Sequence, residues 1–211
     1  MLKICMFGEY LNIINMKKIT LLFMLLAGLT INAQRKVDEY SSEYFNKTYN
    51  IEASLDKKEG FDLYIGIASE SVSSEARIML KSRDLELFIK ALIDTKNKYY
   101  EWSKIAKENN VDKLNKEIDV KFPSVDIAWL GSKWFFSFNQ KLKPKFSILE
   151  SGKHVVMFYN NNVSSSNQFI KETTYWVFSD ATEFDEIISK LSFDTIKSKL
   201  DEEENKKELF K

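Results

Sequence analysis

The chain has 211 residues and a formal net charge of zero, because 31 lysine and arginine residues balance 31 aspartate and glutamate residues. A protein that binds polyanions through its overall charge would carry a basic excess, so this balance argues against that class. One cysteine excludes a disulfide framework, and one histidine leaves few ligands for a transition metal.

The first predicted element is a secretory signal peptide at residues 16–33. Met16 and two lysines precede an uncharged apolar run at residues 19–30, and Ala33 supplies a small residue for cleavage. As a helix this run would reach only about 18 Å, which is short of the roughly 30 Å hydrocarbon core of a bilayer. We therefore expect export to the periplasm or the medium, with no membrane anchor.

Residues 1–15 do not extend this signal, because Glu9 interrupts their apolar pattern. We interpret them as an extension that results from a start codon assigned too far upstream, with the true start at Met16. The alternative is that they form a genuine extended N-terminal region of the signal. Cys5 lies in this segment, so we expect the mature domain to contain no cysteine. Removing residues 1–33 takes away three basic residues and one acidic residue, which leaves a net charge of −2.

Alternating apolar and polar residues predict three strands in the first part of the mature chain. They cover residues 49–55, 61–67 and 76–80, and their connections are too short for parallel crossovers, so we expect an antiparallel meander. The apolar spacing then changes to three and four residues over residues 85–106, which is typical of an amphipathic helix.

The second part is predicted to contain four to six strands and another helix. Alternation marks strands at residues 118–122, 125–129, 134–138, 146–149, 155–159 and 169–178. Asp180 and Glu183 have the spacing of a capping box that begins the second helix. We therefore predict an α+β fold with antiparallel sheet in the order βββ-α-ββββ(ββ)-α, as one domain at residues 34–200 with a charged tail at residues 201–211.

The sequence contains no recognisable catalytic pattern. His154 begins a predicted strand, and no G-x-S-x-G, G-x-G-x-x-G, P-loop or calcium-loop motif is present, so we expect no cofactor and no metal. A glycan-active enzyme needs only two suitably spaced carboxylates. Because these can come from distant positions, no pair can be nominated from the sequence, and that activity stays an alternative.

The aromatic residues between positions 129 and 159 favour a binding function, because rings on a sheet face can stack on sugars or bases. Phe135 alternates with three other aromatic residues and so belongs on the opposite face of its strand. The competing interpretation is that those three residues, Trp134, Phe136 and Phe138, fill the core while Phe135 lies under the second helix or a strand. The candidate ligand-binding residues are Trp129, Phe135 and Tyr159.

Two family resemblances and one short modification motif accompany these patterns. The signal followed by a domain rich in Lys, Asn and Ile resembles the small uncharacterised exported proteins of Gram-negative bacteria. The repeated order of strands and then a helix resembles the Whirly and PUR-repeat architecture, which implies binding of single-stranded nucleic acid. Asp194-Thr195-Ile196 resembles the sequon at which some Gram-negative bacteria O-glycosylate exported proteins, so Thr195 is a candidate modification site.

We therefore predict an exported, non-enzymatic binding or interaction protein with a protein or glycan partner. The first alternative is a single-stranded nucleic-acid-binding protein of Whirly-like fold, against which export and the near-zero net charge both argue. The second alternative is a carboxylate-dependent glycan-active enzyme.

Overall fold

Strands and helices account for most of the part of the chain that a computed structural model describes, which is residues 34–208 except 57–59, 72–74 and 166–168. The predicted signal peptide, the segment before it and Cys5 lie outside these residues.

Within the described residues the order is four strands, a helix, six strands and two helices, and a 3₁₀ turn at Ser82–Asp84 leads into the first helix. The strands are β1 (Arg35–Ser42), β2 (Lys47–Leu55), β3 (Phe61–Ser69), β4 (Ala76–Lys81), β5 (Leu114–Glu117), β6 (Val125–Leu130), β7 (Trp134–Gln140), β8 (Pro144–Ile148), β9 (His154–Ser164) and β10 (Lys171–Phe178). The helices are α1 (Leu85–Glu108), α2 (Ala181–Lys190) and α3 (Phe193–Glu208).

The α+β class with antiparallel sheet is confirmed, and the structure adds two elements to the predicted order. Strand β1 escaped prediction because its pairing with β2 shifts between Lys36 and Asp38, and this irregularity at Val37 breaks the two-residue alternation. Helix α3 includes part of the predicted charged tail. It buries Ile196 and Leu200, one turn apart, and leaves most of its surface charged.

All described strand pairs are antiparallel and belong to one branched sheet. The main path runs β5-β8-β9-β10-β3-β4-β6-β7, and β2 joins it at β3 and carries β1 on its other side. The branch arises because β3 pairs with β2 along residues 61–65 and with β10 only at Ala68 and Ser69. Among the described strands, β1, β5 and β7 therefore each have a single partner.

Helix α1 lies against the inner face of the sheet and organises the core. Phe88 is fully buried and contacts Trp176 of β10 and Phe122, with ring centroids 6.0 and 5.5 Å away. Farther along the helix, the hydroxyl of Tyr99 donates to the carbonyl of Ser179 at 2.9 Å, at the end of β10. None of the helices in the described ranges has the length and apolar character needed to cross a bilayer.

The strand predicted at residues 118–122 is absent. The pairing segment is β5, four residues earlier in the chain, and residues 118–124 have no regular secondary structure. The N–H of Ile118 donates to the carbonyl of Pro144, and the N–H of Val120 donates to Ile118 two residues back, so the backbone turns here. The alternation instead reflects side chains that pack on the core without a strand, including Phe122.

Candidate functional site

Strand β7 points three aromatic side chains away from the core. Phe136 and Phe138 are 39% and 61% exposed, and Trp134 is half-buried. The rings of Phe136 and Phe138 are nearly parallel, with an interplanar angle of 9° and centroids 6.4 Å apart. Alternate residues of a strand share one face of the sheet, so these rings form a continuous surface, which we call the aromatic stripe (Trp134, Phe136 and Phe138).

The orientation of the aromatic stripe is set by Phe135. The ring of Phe135 stacks on buried Trp129 with centroids 5.8 Å apart, and the register pairs these two residues across β6 and β7. With Phe135 held on the inner face, alternation sends its neighbours outward. The interpretation that Trp134, Phe136 and Phe138 fill the core is therefore wrong, although Phe135 does lie on the face opposite to them.

A β-bulge positions the far end of the aromatic stripe. Val125 pairs with Gln140 while Ile127 pairs with Ser137, so two residues of β7 lie opposite Asp126 alone. One of them, Asn139, has φ of 56°, a left-handed conformation that asparagine tolerates better than most residues. Its N–H donates to the carboxylate of Asp126 at 2.9 Å. The bulge is thus fixed by a side chain of the neighbouring strand.

Arg77 of β4 lies beside the aromatic stripe and is held from several sides. Its guanidinium carbon is 4.6 Å from the centre of the Trp134 ring. One nitrogen donates to Glu52 of β2 at 2.6 Å and to Gln34 at 2.5 Å, and another donates to Glu75 at 3.1 Å. Only 16% of the side chain of either Arg77 or Glu52 is exposed. The cation is therefore placed over the indole and neutralised by carboxylates at the same time.

Small residues flank Arg77 in its row across the sheet. Arg77 pairs with Gly66 on one side and with Ala128 on the other, and Ala128 in turn pairs with Phe136. A Cβ added to Gly66 would lie 3.1 Å from the carbonyl oxygen of Asn50, so a side chain there would require β2 to shift by a few tenths of an ångström. The outer face therefore has a shallow depression beside Arg77.

The structure brings together two of the three predicted ligand-binding residues. Trp129 and Phe135 are in contact, but Trp129 is only 2% exposed and so offers almost no surface to a ligand. Tyr159 is 42% exposed on β9, and strands β10, β3 and β4 separate it from β6 in the sheet. Thr195, the candidate modification site, is exposed in the first turn of α3.

The histidine does not form a catalytic arrangement. The ring of His154 meets Phe146 edge-on at 5.5 Å, and in the described structure it has no hydrogen bond to a serine, threonine or carboxylate. Burial, together with the nearby charge of Lys107, lowers the pKa of His154 below its usual value. No group of three or more His, Cys, Asp or Glu residues in the described ranges could hold a metal ion.

An acidic depression lies between the β1–β2 turn and α2, and its carboxylates have structural partners. Glu183 completes a capping box with Asp180, which confirms the predicted start of α2. Glu186 pairs with Lys190 at 2.6 Å, and Glu43 pairs with Lys153 at 3.3 Å. These partners explain the acidic residues without a reaction, so nothing in this depression favours the glycan-active enzyme.

No protein-family model, curated protein or solved structure matches the chain.

Neither the residues of the aromatic stripe nor Arg77 are among the candidate site residues predicted from the sequence. Alternation in β7 shows which aromatic residues share a face, and the core-filling interpretation places the more aromatic face inward. The pairing of Phe135 with Trp129 contradicts that choice. Ser137 was the signal in the sequence that could have identified the inner face. It shares the face of Phe135, and its small side chain leaves room for large core residues from other elements.

Proposed function

We propose that this protein is an exported, non-enzymatic interaction protein that binds a partner protein through the aromatic stripe. The observation that carries the proposal is the outward orientation of Phe136 and Phe138 on a strand that has one described partner, beside the contact between Arg77 and Trp134. The cores of protein interfaces are enriched in aromatic residues, methionine and arginine. Half-buried Met79 of β4 adds the third of these residue types near the stripe. The export component rests on the pattern at residues 16–33.

The contacts of Arg77 support this role because they lower the entropic cost of binding. Its guanidinium is already held by Glu52 and by the Trp134 ring, so a partner need not order a free arginine side chain. Tryptophan and arginine are also the residues that most often carry binding energy at the centre of an interface. We expect Trp134 and Arg77 to act as the fixed part of the surface and Phe138 as the part that is buried on binding.

The charges beside the aromatic stripe favour a protein over a nucleic acid. A groove for single-stranded nucleic acid combines aromatic rings with unpaired basic residues that follow the phosphates. Arg77, the one cation in contact with the stripe residue Trp134 within the described part of the chain, pairs with Glu52 and Glu75. Asp126 lies opposite the bulge at the far end. These charged side chains are therefore one cation and three carboxylates, a balance that disfavours a polyanion.

Site-specific crosslinking in the native host tests the proposal. A photoreactive phenylalanine analogue is placed at position 138 and, in a matched control, at position 100, where Tyr100 is 68% exposed on α1. We expect irradiation to give a discrete protein adduct from position 138 and none from position 100. The adduct is then identified by mass spectrometry, and the N-terminus of the same sample is sequenced to test cleavage after Ala33.

The double variant Phe136→Ser with Phe138→Ser supplies the second arm, with the analogue placed at position 134. The adduct is expected to disappear while the melting temperature stays close to that of the parent. Absence of any adduct from positions 134 and 138, or the same adduct from position 100, would overturn the proposal. Salt-sensitive binding of oligothymidine that the double variant abolishes would transfer the function to the nucleic-acid alternative.

A further inference from the structure

A second surface lies on the outer face of strands β5, β8, β9 and β10 and shares no residue with the aromatic stripe. The register pairs Asn115 with Ser147, Lys145 with Met157, and Tyr159 with Tyr175. These residues share the outer face because the residues that alternate with them, such as Phe146 and Phe158, are buried inside. Together with Lys113 they line one shallow depression, which we call the tyrosine face (Lys113, Asn115, Lys145, Ser147, Met157, Tyr159 and Tyr175).

The two tyrosines form an aromatic wall at one side of the tyrosine face. Their ring centroids lie 5.3 Å apart with an interplanar angle of 37°, and Tyr159 is 42% exposed. Met157 and Ser147 also line the depression, between the tyrosines and the polar residues of β5 and β8, and their side chains form its base. An exposed ring beside a shallow base can stack on the flat C–H face of a sugar. The hydroxyl of Ser147 and the amide of Asn115 line the same depression and can hydrogen-bond to the hydroxyl groups of the sugar.

The opposite side of the tyrosine face carries unpaired positive charge. Lys113 and Lys145 are exposed, and no carboxylate in the described structure lies within 4.0 Å of either ammonium group. Glu117, which is opposite Lys145 in the register, lies 3.9 Å from Lys143 instead. Among the described residues that line the depression, Glu150 is the single acidic one. The lysine side therefore complements a ligand that brings a carboxylate.

The other end of the depression has the opposite electrostatic character. Burial raises the pKa of the Tyr175 hydroxyl, and the nearby carboxylate of Glu70 raises it further. Negative charge near Tyr175 disfavours an anion there, whereas the ammonium groups of Lys113 and Lys145 attract one. This polarity would orient a sugar with its carboxylate toward the lysines and its C–H face on Tyr159.

We infer that the tyrosine face is a binding site for an acidic saccharide of the uronic acid class. The inference is independent of the proposed function, since Trp134, Phe136 and Phe138 are not among the residues that line the tyrosine face. It names a second ligand class for a different face of the same molecule.

Calorimetric titration of the purified full chain with uronic acid tetramers tests this inference. The probes are tetramers of galacturonate, mannuronate and guluronate, and the matched control is the methyl ester of each, which keeps the rings and removes the charge. We expect at least one acidic tetramer to bind and its ester to bind at least tenfold more weakly. Affinity for the acid should also fall as salt is raised, because ammonium–carboxylate attraction at the surface is screened.

Variants of the same chain assign the binding to the tyrosine face. Tyr159→Ala is expected to weaken binding about tenfold, a change typical of losing one aromatic stacking contact. Lys113→Gln with Lys145→Gln should reduce the preference for acid over ester toward one. Tyr100→Ala, which removes another exposed tyrosine, should change nothing, and circular dichroism confirms that each variant is folded.

Failure of all three acidic tetramers to bind, equal affinity for acid and ester, or unchanged binding by folded Tyr159→Ala would each overturn the inference. Phe136→Ser with Phe138→Ser is included in the titrations and is expected to bind the saccharide normally. Loss of the crosslinked adduct in that variant and loss of saccharide binding in Tyr159→Ala are separate results, so either proposal can fail without the other.

Discussion

The carboxylate of Glu183 accepts a hydrogen bond from the backbone N–H of Glu43 at 2.7 Å, although the two residues are 140 positions apart. The same carboxylate accepts the N–H and the hydroxyl of Ser179 and the N–H of Asp180. Glu183 is only 8% exposed. One buried carboxylate therefore connects the β1–β2 turn to the first turn of α2 and satisfies donors that would otherwise be buried without a partner.

We expect Glu183→Ala to lower the free energy of unfolding by about 3 kcal/mol, because buried N–H groups lose a charged acceptor. Glu183→Gln keeps one oxygen acceptor and should lose less. Urea unfolding at pH 7 measures both variants. The control is Asp185→Ala, which removes a 60%-exposed carboxylate that pairs with Lys96 and should cost no more than about 0.5 kcal/mol. A loss in Glu183→Ala no larger than in this control would contradict the structural role.

The N-cap of α2 predicts a specific dependence of stability on pH. The carboxylate of Asp180 accepts the N–H of Thr182 at 2.7 Å, and this hydrogen bond holds the pKa of Asp180 below its usual value. Such a group stabilises the fold above its unfolded-state pKa of about 3.9, and the contribution is lost as pH falls through the lower folded-state pKa.

Asp180→Ala should therefore cost about 1 kcal/mol at pH 7 and progressively less below about pH 4. Asp180→Asn retains a capping oxygen without the charge, so it should keep most of the stability and lose this pH dependence. Urea unfolding of the three proteins between pH 7 and pH 3 measures the effect. An alanine deficit that stays constant over this range would show that the carboxylate charge contributes nothing.

Tyr40 predicts how the stability of the fold changes with pH at the alkaline end of the range. Its ring is 3% exposed, and its hydroxyl donates to the carbonyl of Gly66 at 2.6 Å. Burial, with the neighbouring Tyr49 as the next cause, raises the pKa of Tyr40 well above its usual value. Because folding favours the neutral phenol, its contribution is complete below the unfolded-state pKa of about 10 and is lost as pH rises through the folded-state value.

We expect Tyr40→Phe to cost about 1 kcal/mol at pH 7, where it leaves the Gly66 carbonyl without this donor. The cost should shrink above about pH 10, since the variant has no phenol to ionise. Thermal unfolding from pH 7 to pH 11 tests this, with Tyr100→Phe on the exposed side of α1 as the control. If the melting temperature falls equally between pH 10 and pH 11 in the parent and in Tyr40→Phe, Tyr40 does not contribute to the loss of stability at alkaline pH.

The orientation of β7 predicts that replacing an inward aromatic residue costs much more stability than replacing an outward one. Trp129→Ala should lower the free energy of unfolding by about 4 kcal/mol, because it removes a buried ring from the core. Phe138→Ser should change it by no more than about 0.5 kcal/mol, because most of that ring is already in water. Urea unfolding distinguishes the two. A large loss for Phe138→Ser would mean that the stripe is covered in the folded protein.

Local sequence was sufficient for the features that depend on neighbouring residues. The spacing of apolar residues predicted α1, which occupies Leu85–Glu108, and the Asp180-Glu183 spacing predicted the capping box that begins α2. Short connections predicted antiparallel pairing, and β2, β3 and β4 pair in that way. Each of these depends on interactions within a few residues, so the pattern is present in the sequence itself.

Sequence by itself determined the α+β class, the order of most elements and which residues share a face of each strand. Only the tertiary structure decided which face of β7 meets the core, that Tyr159 lies beside Tyr175, and that Glu43 and Glu183 meet across the fold. The physical reason is that alternation defines two faces but does not say which one is covered. That choice depends on the partner strands, and these come from positions that local spacing does not record.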